Sequence, residues 1–240
     1  MTHTTRRELL TGAGALGLTA VLPAWAAKAA PAADIAAQGL LSAMAEDLLS
    51  DSPEYALSLG IDKGDRAALH SRFMDRSIAG DRARAARCTA RLGQLRRLGR
   101  TGLSPSVALD LDTAETAYAL AEEGWRTMPV GANTVLDANV SYRSTPYIVT
   151  QLGGAYSDLP DLLENKHDVA SAADADAYLS RLESYAAAVD GETGRMRADA
   201  GKGAIPPVLV IDITAGQLKG IRATPVADWA IVKRALLQKS

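Results

Sequence analysis

Cysteine, histidine and aromatic residues are scarce in this 240-residue chain, and each shortage closes off a chemistry. The single cysteine, Cys88, excludes an intramolecular disulfide and any cysteine-rich zinc or iron–sulfur site. The three histidines, His3, His70 and His167, do not form an HExxH pair. No G-x-S-x-G elbow offers a hydrolase nucleophile, and no G-x-x-x-x-G-K-[ST] loop offers a phosphate cradle. Charge of one sign is missing too. The 26 Lys+Arg against 28 Asp+Glu leave a net charge of -2, without the basic excess a nucleic-acid surface needs, so no nucleic acid is expected as a partner. With one Phe, three Trp and seven Tyr, the bulky content of a β-protein is absent, and alanine fills 46 positions. That balance favours helix. A hydrophobic share of 48% and a charged share of 22% are those of a chain that folds around a core.

Long apolar runs are also lacking. The longest, Leu9 to Leu22, has 14 residues and three glycines, short of the roughly 20 that span a bilayer as a helix, so no stable membrane anchor is expected. Arg6 and Arg7 directly precede Glu8, Leu9 and Leu10, which is similar to a twin-arginine export signal. Ala24-Trp25-Ala26 has the small-x-small form of a cleavage site, with Ala27-Lys28-Ala29 as a second option. Residues 1–26 therefore read as a signal peptide. The mature chain is expected in a bacterial periplasm, with the twin-arginine export machinery as a partner.

In the mature chain, residues 34–49 carry apolar side chains at helical spacing, with Asp34 placed to cap the start. Ser52-Pro53 opens a second short helix that Gly60 ends, and residues 61–77 read as a loop. From Ile78 to Arg100 seven arginines surround Ile78, Cys88, Leu92 and Leu95, and the following helix, from Ser104-Pro105 to about Thr127, is acidic. The two are expected to form an antiparallel hairpin with paired or solvated charges rather than an anion site. Residues 130–145 have the turn-rich composition of a small β-hairpin. Pro146 is expected to open a helix holding Tyr147, Ile148, Leu152 and Tyr156, and Pro160 another. Ser171 and Asp174 predict a capping box before a long helix marked by Tyr178, Leu182, Tyr185, Val189 and Met196. Residues 208–214 fit a strand by propensity and a helix by periodicity, and Thr224-Pro225 begins a last helical stretch.

Few residues announce chemistry. His70 lies in a polar stretch, and His167, in Asn165-Lys166-His167-Asp168, reads as a surface turn residue. The acidic pairs Asp110/Asp112, Glu122/Glu123 and Asp174/Asp176 point in different directions on a helix and read as surface charge. Cys88 is expected to be buried and inert.

The stretch from Ser144-Thr145-Pro146-Tyr147-Ile148-Val149-Thr150-Gln151-Leu152-Gly153-Gly154-Ala155-Tyr156 through Leu159-Pro160-Asp161-Leu162-Leu163, Ala173 to Leu182 and Ile205-Pro206-Pro207 resembles the bacterial family called domain of unknown function 885. Ser52-Pro53-Glu54 and Leu59-Gly60-Ile61 resemble its N-terminal region. The resemblance implies an all-α fold, a helix after Pro207, and likeness to zinc metallopeptidases of the HExxH type, whose metal and catalytic residues lie in the C-terminal half of longer chains. No catalytic and no metal residue can be carried onto this sequence, and zinc is expected only for the full-length family. Residues 27–240 are thus expected to be a single helical domain, the truncated N-terminal part of a larger metallopeptidase-like fold, inactive alone and partnered by a missing C-terminal catalytic half. A self-standing periplasmic binding or interaction module is the competing expectation. Tyr147, Gln151 and Tyr156 are candidates for lining a cleft, the alternative for the two tyrosines being half-buried core positions.

Overall fold

Helical spacing of apolar residues, punctuated by proline and glycine, is realised almost throughout the computed structural model, which describes residues 31–131 and 146–237, with side chains to residue 233. The export signal with Arg6, Arg7, Ala24 and Ala26, and the hairpin expected near 130–145 apart from its first two residues, lie outside the described residues. The elements are α1 (Ala32–Asp51), α2 (Pro53–Ser58), a 3-10 helix η1 (Gly64–Ser71), α3 (Ile78–Arg97), α4 (Pro105–Thr127), α5 (Ala155–Lys166), α6 (Ala172–Ala200), α7 (Val208–Ala223), a 3-10 turn η2 (Val226–Asp228) and α8 (Ala230–Leu237). Among the described residues there is no strand, and the fold is all-α. No helix among them is long and apolar enough to cross a membrane.

Two cores divide the chain. The first lies between α1, α3 and α4 and consists of Ala37, Met44, Cys88, Leu92, Leu95, Val107, Leu111, Tyr118 and Ala121. Within each helix these recur at intervals of three, four or seven residues, so each helix turns one stripe inward. Asp34 does not cap its own helix. It sits inside the first turn of α1, and its carboxylate accepts the Ser104 backbone N–H at 2.8 Å, satisfying the entry of α4 instead. The arginines of α3 and of the turn after it pair on two sides: Arg91 with Asp47 at 2.6 Å and Arg87 with Asp51 on α1, and Arg100, past the end of α3, with Asp112 and Glu115 on α4. The hairpin partner α4 thus supplies only part of the acid.

The second core gathers Phe73, Ala155, Leu159, Leu163, Tyr178, Ala188 and Ile231 from α5, α6, α8 and the segment before α3. The Ser171/Asp174 capping box starts α6 as the sequence implies, and Tyr178, Leu182, Tyr185 and Val189 face this core, whereas Met196 is exposed. Gly191 lets α6 pass close to the chain entering α3, since a Cβ there would lie 2.8 Å from Ser77 N.

Three local expectations are corrected. Residues 64–71 are a 3-10 helix rather than loop. Pro146 opens no helix: residues 146–154 run as bends closed by a Thr150–Gly153 bridge, and α5 begins at Ala155. Pro160 lies inside α5 instead of starting a helix. Both follow from Gly154, whose φ of 137 is a backbone turn that only glycine adopts freely, so one continuous helix starts behind it. After Pro207 the helix, not the strand, is formed.

Candidate functional site

Two of the stretches that carry the family resemblance, at Glu54 and at Gly154–Ala155, meet at one half-buried junction. Gly154 and Ala155 enter α5 beside Glu192 of α6, and the Glu192 Oε2 accepts the Ala155 N–H at 2.8 Å. Its Oε1 accepts from Arg76 Nη1 at 2.7 Å. The second terminal nitrogen of Arg76 lies 3.4 Å from Glu54 Oε1, and the Glu54 carboxylate also accepts the Met74 N–H at 3.2 Å. Burial disfavours the Arg76 charge, but Glu54, Glu192 and Asp158 outweigh it and hold the guanidinium pKa above its ordinary value. Arg76 therefore clamps α2 to α6 through two carboxylates. A Cβ on Gly154 would meet Glu192 Oε2 only at ordinary contact distance, 3.4 Å, so it is the backbone φ of 137 that calls for glycine beside the carboxylate.

The three cleft candidates are split. Tyr156, on α5, is buried, and its hydroxyl lies 2.8 Å from Thr150 O and 2.7 Å from Gln217 Oε1 of α7, one proton serving two acceptors. Burial, then Asp158, raises its pKa. Gln151 and Tyr147 lie in the bends before α5, not on its face. Gln151 accepts from Gln217 Nε2 through its backbone oxygen at 3.3 Å, and with Leu152, Ser157, Asp158 and Asp161 it lines a hollow of about 320 Å³. Tyr147 is half-buried and does not line that hollow.

A second polar cluster lies under η1. His167, read from sequence as a surface turn residue, is completely buried, as is Arg181. Arg181 reaches His167 Nδ1 at 2.8 Å and Leu69 O at 3.1 Å, and stands 3.6 Å from Asp62. Burial pulls its pKa down to about 10 against the pull of Asp62 and Glu54. His70 stacks on His167 with ring centroids 4.6 Å apart, its Nδ1 2.7 Å from Asp62 and its Nε2 3.7 Å from Asp174. Asp62 orients His70 as it would a general base, but the other nitrogen faces a carboxylate rather than a hydroxyl or an open cleft.

Sequence reasoning missed Arg76, Arg181 and Glu192. A signal existed for two of them: Arg181 falls three residues after Tyr178, and Glu192 three after Val189, so both charges sit on the apolar stripe of α6. Cys88 is buried as expected, its thiol donating to Tyr118 O at 3.4 Å, and burial pushes its pKa up to about 11. Among the described residues no group of three or more His, Cys, Asp or Glu is arranged to hold a metal ion.

Fold and junctions together define an all-α protein whose helices are fastened by ion pairs, the Arg181–Asp62 contact among them fully buried. The chain belongs to the family described as a bacterial protein of unknown function, DUF885, which it matches over residues 53–239. The Glu54–Arg76–Glu192 clamp and the histidine–arginine cluster both fall inside that span. No curated protein and no solved structure gives a match.

Proposed function

We propose that this chain is a non-catalytic helical region of an exported protein resembling zinc-dependent peptidases, and that it serves to receive and brace further helices against its own. The observation that carries this reading is α7. It touches the rest of the chain along Val210, Thr214 and Gln217, yet Val208 is 72% and Leu209 70% exposed, and Ile211, Ile213 and Leu218 are exposed as well. Leu209, Ile213, Gly216 and Gly220 form one stripe at helical spacing, and Val208, Ile211, Ala215 and Leu218 another, on either flank of the buried ridge. Asp212 and Lys219 make a polar edge between them, and Arg222 closes the second stripe at the end of the helix. A helix apolar on three sides is built for burial, and an exposed patch of this kind marks a packing surface. The glycines on one stripe leave room for close approach of another helix, since nothing lies within 4 Å of a Cβ at Gly216 or Gly220.

On this reading the surface of α7 receives the helices of a zinc-bearing catalytic part, and the clamp at Glu54, Arg76 and Glu192 keeps α5 and α6 rigid beneath it. The export signal at Arg6 and Arg7, cleaved after Ala26, would deliver the chain to the periplasm through the twin-arginine machinery. The test is purification from a producing bacterium. A co-purifying polypeptide with HExxH, zinc-dependent peptide hydrolysis only in the complex, and loss of both in Leu209→Glu/Ile213→Glu support the reading. Stoichiometric zinc with turnover by the chain alone overturns it. So does a monodisperse chain that binds no hydrophobic dye, which would leave α7 with no surface in need of a partner.

A further inference from the structure

His167 is sealed in the second core with both ring nitrogens committed. Its Nδ1 is 2.8 Å from Arg181 Nη1, and a guanidinium only donates, so Nδ1 must be the bare, accepting nitrogen. Its Nε2 is 3.1 Å from the Asp174 backbone oxygen, which only accepts, so Nε2 carries the hydrogen. A neutral imidazole has one nitrogen of each kind, and the site uses both. A second proton can go only to Nδ1, where it would oppose an N–H of Arg181.

We propose that His167 is an acid-sensitive latch: its protonation expels Arg181 and releases η1 and the C-terminal end of α5 from α6. This inference does not depend on the proposed packing role of α7. Arg181 is the bolt, since it is fully buried, donates to Leu69 O near the end of η1 at 3.1 Å, and lies 5.4 Å from the Phe73 ring centroid. Once it moves, the Leu69 oxygen loses its donor, and Asp62 loses the guanidinium 3.6 Å away and keeps only His70.

The groups facing His167 decide the direction. From α6 come Arg181, the edge of the Tyr178 ring at 5.1 Å, and Asp174; from η1 comes His70 at 4.6 Å; and Asp62 stands behind them. The two carboxylates, which would favour a charged ring, are engaged elsewhere. Asp62 holds His70 Nδ1, and Asp174 accepts from the backbone of Ala170 and Ser171 at the start of α6. Burial lowers the His167 pKa, the hydrogen bond to the Asp174 oxygen raises it, and Arg181 and His70 lower it further, the net direction being down. In the unfolded chain a histidine titrates near about 6.5. Between that value and the lowered folded one the unfolded state binds more protons. Stability is therefore full above about pH 6.5 and is lost as pH falls toward the folded value.

The test is urea unfolding between pH 7.5 and 5.5, comparing the wild-type chain with His167→Gln. Glutamine keeps an acceptor for Arg181 and a donor for Asp174 but takes no proton. The wild-type ratio of folded to unfolded protein should fall relative to the variant by up to about tenfold per pH unit below about 6.5. Repeating the comparison in a His70→Gln background keeps the neighbouring imidazole, stacked 4.6 Å from His167, out of the result. Hydrogen exchange over residues 64–71, corrected against an unstructured peptide, should speed up on acidification in the wild type alone. Parallel stability curves overturn the proposal. So does a histidine nitrogen spectrum showing a His167 imidazolium while η1 stays protected, and this measurement on the wild type decides the matter should His167→Gln not fold.

Discussion

The two cores of this chain are built on different physics. Between α1, α3 and α4 the core is alanine, leucine, methionine, valine, cysteine and tyrosine, with Asp34 the buried carboxylate at its edge, bonded to the Ser104 N–H, and the ion pairs stay at the rim. Under α5, α6 and α8 the apolar residues share the interior with Arg181, His167 and Glu192. Burial of apolar area holds the first together and is indifferent to direction. Buried charge holds the second in one register, because each group is costly unless it meets its own partner. The first core can therefore absorb small changes gradually, whereas the second should fail sharply when one member of a pair is removed.

The sharpest break is expected at the clamp. Glu192→Ala removes the closer of the two carboxylates that hold Arg76 and leaves the Ala155 N–H without its acceptor, and should cost about 3–5 kcal/mol in urea unfolding. If the loss reflects an abandoned charge and not the worth of the pair, then Arg76→Met combined with Glu192→Gln should be less destabilised than the two single losses added. A coupling of about 1–3 kcal/mol in that cycle is the expected reading. Additive losses would mean that the two side chains act independently.

In the first core the comparable change is Leu111→Ala. Leu111 is fully buried, so loss of its side chain should cost about 3 kcal/mol through lost transfer energy and the cavity left behind. The cost should be the same at pH 7.5 and 5.5, in contrast to the pH-dependent second core. A pH-dependent Leu111→Ala loss would show that Leu111 is energetically coupled to a group titrating in that range.

The difference between the cores also explains what was legible in the sequence. Helix α4 was readable from Ser104-Pro105 to Thr127, and α6 from its capping box, because caps and apolar spacing are local signals. The junctions were not. Glu54 and Arg76 meet Glu192 across more than a hundred residues, and no local pattern records which acid a given arginine will find. His167 misled because its neighbours Asn165, Lys166 and Asp168 are polar, yet it packs under η1, a helix that the sequence disguised as loop. Residues 146–154 misled in the opposite way: helical spacing of Tyr147, Ile148 and Leu152 suggested a face, but Gly153 and Gly154 turn the chain first. Of the cleft candidates, Tyr156 and Gln151 are both tied to Gln217 on α7, a link that only the folded chain reveals.

A smaller effect is expected at Cys88. With its thiol buried in the first core and its pKa pushed up to about 11, it should resist a thiol-specific reagent at pH 8 in the native chain and react at once in urea. Cys88→Ala should cost only about 1 kcal/mol, since one sulfur is removed from a site lined by side chains that can close on it. Fast native labelling would mean that α3 and α4 separate readily, and the picture of a dry, evenly packed first core would fail.

The smallest effect should come from the rim. Arg91 meets Asp47 at 2.6 Å, but both side chains are partly open to solvent, so water and salt compete for each. Arg91→Ala should cost about 0.5 kcal/mol at low salt and less in 0.5 M sodium chloride. The size of that loss tests the comparison itself. The sealed Arg181–Asp62 contact and the buried Glu192 carboxylate exclude water, whereas the Arg91–Asp47 pair at the rim should be nearly expendable. A loss above about 2 kcal/mol, insensitive to salt, would mean that α1 and α3 are also joined by desolvated charge. The contrast between an apolar core and a charged one would then be one of degree along a single helical stack.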